Sequence, residues 1–88
     1  MSSRIDLHMP GGKLRFATEP NRPGLFAYGA RHDYHLHIYD GHGYIGRWAE
    51  GSLTHGEPIP SRAESYAIVP TTKTTDLIRV AEQWEAHQ

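Results

Sequence analysis

Residues 34–39, Tyr-His-Leu-His-Ile-Tyr, alternate without a break. In an extended chain successive side chains point to opposite faces, so Tyr34, Leu36 and Ile38 share one face and His35, His37 and Tyr39 the other. Asp40-Gly41-His42-Gly43 follows and is the strongest turn signal in the chain. Residues 44–49, Tyr-Ile-Gly-Arg-Trp-Ala, return as the partner strand of a hairpin. A shift of one residue would exchange the faces of that whole strand. The register adopted here puts Tyr44 and Trp48 with Leu36 and Ile38 in the core, and the other puts them beside His35 and His37. The choice follows from composition. Six Ile, six Leu, two Val and two Phe are a thin supply of core for 88 residues. Five Tyr and two Trp must supply much of the missing apolar area.

Low aliphatic content marks disorder only when net charge is high. Here nine basic residues meet ten acidic ones, for a formal charge of −1, so a folded chain is expected. At 88 residues it is one domain, since two would each be too small to bury a core. The rest of the pattern extends the sheet. Residues 4–9 alternate, with Ile5, Leu7 and Met9 on one face and Arg4, Asp6 and His8 on the other. Pro10-Gly11-Gly12 turns the chain into residues 13–18, with Leu14 and Phe16 inward. Residues 19–24 carry two Pro and read as a loop, 25–30 as a short strand weakened by Gly29, and 31–33 as a turn.

Residues 50–62 hold Gly51, Gly56, Pro58 and Pro60 and read as a loop anchored by Leu53 and Ile59. Ser65–Val69 is the last strand, ended by Pro70. A helix then starts with Thr74 or Thr75 as its N-cap and Asp76 in its first turn. Leu77, Ala81 and Trp84, flanked by Ile78 and Val80, form its apolar stripe. A helix of about 14 residues is marginal alone and must pack on the sheet. Glu82 and Glu85 oppose the dipole near its end, so fraying is expected there. The expected fold is α+β: a single antiparallel sheet of five or six strands with one C-terminal helix packed on it.

Several chemistries are excluded. With no Cys there are no disulfides, thiolate zinc sites or Cys nucleophiles. No Gly-x-Ser-x-Gly elbow surrounds Ser52, Ser61 or Ser65, and there is no phosphate-binding glycine loop, since Gly41-His42-Gly43 opens a strand and not a helix. The first residues lack an apolar signal-peptide core and no apolar run is long enough for a membrane span, so a cytoplasmic location is the expectation. A sequence pI of about 6.6 argues against a dedicated nucleic-acid binder.

Seven His are many for this length, and His32, His35, His37 and His42 fall together with Asp33 and Asp40. His35 and His37 leave the same face of a strand, a geometry that suits zinc if a third ligand joins them from Asp40, His42, His8 or His55. The string Asp33-Tyr34-His35-Leu36-His37, followed by Asp40-Gly41, resembles the Asp-x-His-x-His opening of the polymerase-and-histidinol-phosphatase phosphoesterases. Its His-x-His element resembles that of amidohydrolases. Those families are much longer barrels that draw further ligands from later strands, so the resemblance ends at Gly41. His55 and Glu57 form another acid–base pair of interest, in the long loop.

Tyr28, Arg31, Tyr34, Tyr39, Tyr44, Arg47 and Trp48 crowd one stretch. Trp, Tyr and Arg dominate protein–protein hot spots, and the near-zero net charge favours a protein partner over nucleic acid. The leading expectation is a small non-catalytic module that docks on a larger protein through His35, His37, Tyr39, His42, Arg47 and His55. Compact single-sheet chains without enzyme motifs are common among inhibitors encoded by phages and mobile elements, anti-CRISPR proteins among them. Two alternatives stand beside this reading: a small metal- or His-dependent enzyme centred on His35, His37 and Asp40 with zinc, and an accessory domain contacting nucleic acid through Arg31, Tyr39 and Arg47. An edge strand could also pair two copies into a homodimer.

Overall fold

A computed structural model describes residues 5–20, 22–55, 57–60 and 62–87. Arg4, Asn21, Gly56 and Ser61, read above as strand or loop positions, lie outside the described residues. The chain forms one six-stranded antiparallel sheet in the order β1-β2-β3-β4-β5-β6, so each strand pairs with its neighbour in sequence. The strands are β1 Asp6–His8, β2 Arg15–Glu19, β3 Arg22–Tyr28, β4 His32–Tyr39, β5 His42–Ala49 and β6 Ser65–Val69. One helix, α1 Thr74–Ala86, follows and packs on β4 and β5. The fold is α+β, as the alternation and the terminal stripe imply.

The helix-covered face carries the main core: Leu14, Phe16, Ala27, Tyr34, Leu36 and Ile45 beneath Leu77, Ile78 and Ala81 of α1. Close approach of the helix needs Gly43, where a Cβ would collide with a methyl carbon of Leu77. On the opposite face a smaller cluster of Phe26, Trp48 and Leu53 is flanked by Tyr28, Ile59 and Ala63. Leu53 and Ile59 thus anchor the long loop as the sequence implies. Buried Asp33 ties that loop down, its Oδ2 accepting the N–H groups of Gly51 and Leu53 at 3.0 Å each. Among the described residues no helix is long and apolar enough to cross a membrane.

Four expectations are corrected. The register of the central hairpin is the other one: Leu36 pairs with Ile45, His37 with Tyr44 and Asp33 with Trp48. The cause is the turn, which has an even number of residues, two, whereas the expected register needs an odd number. Tyr39 pairs with His42, and Asp40 and Gly41 take φ values of 52° and 76°, the left-handed pair that a type I′ turn requires. Tyr44 and Trp48 therefore lie with His35 and His37, and Trp48 is buried in the second cluster instead of the first.

Second, residues 22–24 are strand and not loop. The register shifts between Thr18 and Glu19, where Thr18 pairs with Leu25 but Glu19 with Arg22, so the Pro23-Gly24 step is absorbed in an irregularity of the pairing. The turn read at 31–33 likewise falls earlier, because β4 already begins at His32. Third, the residue before the helix is Lys73, with no side-chain cap. Thr71 instead braces the start of the helix: its Oγ1 accepts the Lys73 N–H at 3.1 Å and donates to Asp76 Oδ2 at 2.8 Å. Fourth, Glu82 and Glu85 hold the helix end instead of loosening it. Glu82 accepts the N–H groups of Lys13 and Leu14 at 3.0 and 2.7 Å, and Glu85 accepts the Tyr34 hydroxyl at 2.9 Å. Burial, then the Glu85 bond and charge, pushes the Tyr34 phenol far above its ordinary range.

Candidate binding face

The sheet face opposite the helix is divided in two. The loop after β5 covers the half over Phe26, Trp48 and Tyr28. Toward the β4–β5 hairpin the strands present His37, Tyr39, His42 and Tyr44, with Tyr66 and Ile68 from β6 beside them. Tyr39, Tyr66 and Ile68 are 68%, 71% and 52% exposed, and His37 and His42 are exposed as well.

A file of stacked rings crosses from the covered half to the open one. The Arg22 guanidinium lies 4.0 Å above the Phe26 ring. Phe26 stacks on His35 with centroids 4.6 Å apart, His35 on His37 at 5.1 Å, and His37 on Tyr44 at 4.9 Å. Alternate register pairs and one i, i+2 step place these rings in sequence. Phe26 is opposite His35 and His37 is opposite Tyr44. His35 is the buried pivot. Its Nε2–H donates to the carbonyl oxygen of Pro23 at 3.0 Å, which fixes the tautomer. Burial drives the His35 pKa below its ordinary value; the Pro23 bond opposes that shift, and the neighbouring His37 and Arg22 add to it.

At the far end of the same face Glu19 gathers a second cluster. Arg22 bonds Glu19 Oε1 through Nε at 3.1 Å and Nη2 at 2.5 Å, and also reaches the Tyr28 hydroxyl and the carbonyl oxygen of Glu57, each at 2.8 Å. Tyr28 donates a short hydrogen bond to Glu19 Oε2, and the His55 Nδ1 lies 2.9 Å from the same oxygen. The His55 ring sits on Tyr28 with centroids 4.0 Å apart. Burial, then the Glu19 carboxylate, pushes the Tyr28 phenol up to about 12. His55 therefore pairs with Glu19 and not with Glu57. Arg22 is buried and the Glu19 side chain nearly so, and their bonds to each other, to Tyr28, to His55 and to the Glu57 carbonyl clamp the loop to the sheet.

The residues singled out in the sequence do not form one surface. His35, His37, Tyr39 and His42 share the face opposite the helix, with His35 largely beneath it. His55 is at the other end of that face, on the Glu19 clamp. Arg47 is on the helix side, its guanidinium 4.3 Å from the Trp84 ring, because the corrected register turns it with Ile45 toward α1. That also separates the proposed nucleic-acid set, since Arg31 lies in the turn before β4 and Tyr39 at the end of β4. Sequence reading missed Tyr66 and Ile68 as surface residues, although their alternation with Ala67 was visible.

The zinc alternative is not met by these residues. The His35 and His37 rings stack at an interplanar angle of 25°, so their in-plane lone pairs run side by side instead of converging. Nε2 of His35 is already engaged by Pro23. Among the described residues no group of three or more His, Asp or Glu side chains is placed to hold a metal ion. Comparison with known proteins finds no matching family, no matching curated protein and no matching solved structure.

Proposed function

We propose that this chain is a non-catalytic protein-binding module that docks on a larger protein through the open half of the sheet face, with Tyr39, His37, His42 and Tyr44 as its contacts. An inhibitor of the kind that mobile elements encode is the form of action we assign to it. The observation that carries the reading is the contrast across one face. Half is sealed by an anchored loop, while the other half leaves Tyr39, Tyr66 and Ile68 more than half exposed. Contiguous apolar exposure beside polar groups is a mark of interaction surfaces. The ring file holds His37 and Tyr44 in place before any partner arrives, which lowers the entropy cost of binding. None of these contact residues is Lys or Arg, so the surface suits a protein better than a phosphate backbone.

The test compares partner retention on immobilised wild-type chain and on Tyr39→Ala. Tyr39 is exposed, so the variant keeps its fold, and a loss of at least about tenfold in affinity is expected for a hot-spot tyrosine. Unchanged retention by folded Tyr39→Ala would overturn the reading.

A further inference from the structure

β6 closes one end of the sheet, pairing with β5 from Gly43–Val69 to Arg47–Ser65 and, among the described residues, with no other strand. An edge strand presents a row of unpaired N–H and C=O groups, which proteins guard with Lys, Pro, bulges or very short edges. The opposite edge, β1, is three residues long. By contrast β6 has five residues, Ser-Tyr-Ala-Ile-Val, with no charge, no Pro and an unbroken register to β5. Its two outer side chains, Tyr66 and Ile68, are among the most exposed large apolar groups of the chain.

We propose that β6 pairs antiparallel with β6 of a second copy about a two-fold axis at Ala67. The sequence of β6 is self-complementary in that register. Tyr66 of each copy falls opposite the partner's Ile68, and Ser65 opposite the partner's Val69. Aromatic–β-branched pairs are among the favourable cross-strand combinations, and the symmetry forms two of them. Charge selects the same arrangement. Glu64 precedes β6, and in the antiparallel register it falls opposite the partner's Pro70 and not opposite a like charge. Parallel pairing would set Glu64 against Glu64. The contact is isologous, so it closes at two copies. It joins the sheets into one with both open faces on the same side. The dimer goes beyond the docking reading and does not depend on it.

Five paired residues a side are fewer than the roughly 20 to 30 of a standard interface, so the expected dissociation constant is on the order of 100 µM. Sedimentation equilibrium from about 1 µM to about 1 mM tests it on wild type, Tyr66→Lys, Ile68→Glu and the double variant, with circular dichroism confirming each fold. Each single substitution should weaken the dimer by about tenfold, because it sets a charge against an apolar partner. The double variant places opposite charges across both pairs and should recover to within about threefold of wild type. Tyr39→Ala should leave the dimer unchanged, which separates this contact from the docking surface. A chain that stays monomeric at the highest concentration would overturn the proposal. So would a dimer indifferent to the single substitutions, or one that the double variant does not recover.

Discussion

The imidazole of His35 lies where a side chain on Gly24 would begin: a Cβ at position 24 would stand 2.5 Å from His35 Nε2 and 2.5 Å from the carbonyl oxygen of Leu36. Gly24 also has a φ of +94°, a value that L side chains rarely adopt. The irregular pairing at the start of β3, the Pro23 hydrogen bond and the ring file thus depend on one another. Gly24→Ala should cost about 3 kcal/mol, from backbone strain plus the collision with β4. Urea denaturation measures it, and a loss below about 1 kcal/mol would show that the ring is not held in this way.

His35 should make stability depend on pH. Burial lowers its pKa in the folded chain, while the unfolded chain takes up the proton near about pH 6.5. Above that pH both states are neutral at this position and the full stability is present. As pH falls below it, the unfolded state gains protons that the native site resists, and stability declines until the lowered native pKa is passed. His35→Gln keeps an N–H donor for Pro23 and removes the titration. Its denaturation midpoint should therefore vary less than that of wild type between about pH 7 and pH 5. Parallel curves for the two proteins would contradict the assignment.

The Glu19–Arg22 pair should behave as a unit. Their side chains are only 9% and 5% exposed, so removing one leaves the other charge buried and under-compensated. Glu19→Gln alone should destabilise by about 3 kcal/mol. Glu19→Gln combined with Arg22→Met should cost less than the sum of the two single changes by more than about 1 kcal/mol. Additive effects in this double-mutant cycle would mean that the pair is not a clamp.

Much of this architecture is legible in local pattern. The period-two runs at 34–39 and 65–69 are strands, and the stripe from Leu77 to Trp84 is the helix face that meets the sheet. What escaped was set by choices between nearly equal local options. Whether the turn within Asp40–Gly43 holds an even or an odd number of residues decides which face Tyr44, Arg47 and Trp48 occupy, and composition pointed to the wrong option. A Pro-Gly pair reads as a loop until the pairing on either side shows that it is absorbed within a strand. Glu82 and Glu85 look misplaced on an isolated helix. Their partners, Lys13, Leu14 and Tyr34, lie far away in sequence, and no local rule brings them together. The candidate face shares this origin. His37 and Tyr39 were visible as one side of a strand, but their company with Tyr44, Tyr66 and Ile68 came from the register.

The docking surface is tested most directly by site-specific photo-crosslinking in a lysate of the source cells, with the photoreactive amino acid at position 39 or at position 83. Tyr39 is on the open face and Gln83 is exposed on the helix, on the other side of the sheet. The account predicts a discrete adduct from position 39, suppressed by excess unlabelled wild-type chain but not by excess Tyr39→Ala, and none from position 83. Adducts from position 83 alone, or equal suppression by both competitors, would contradict it.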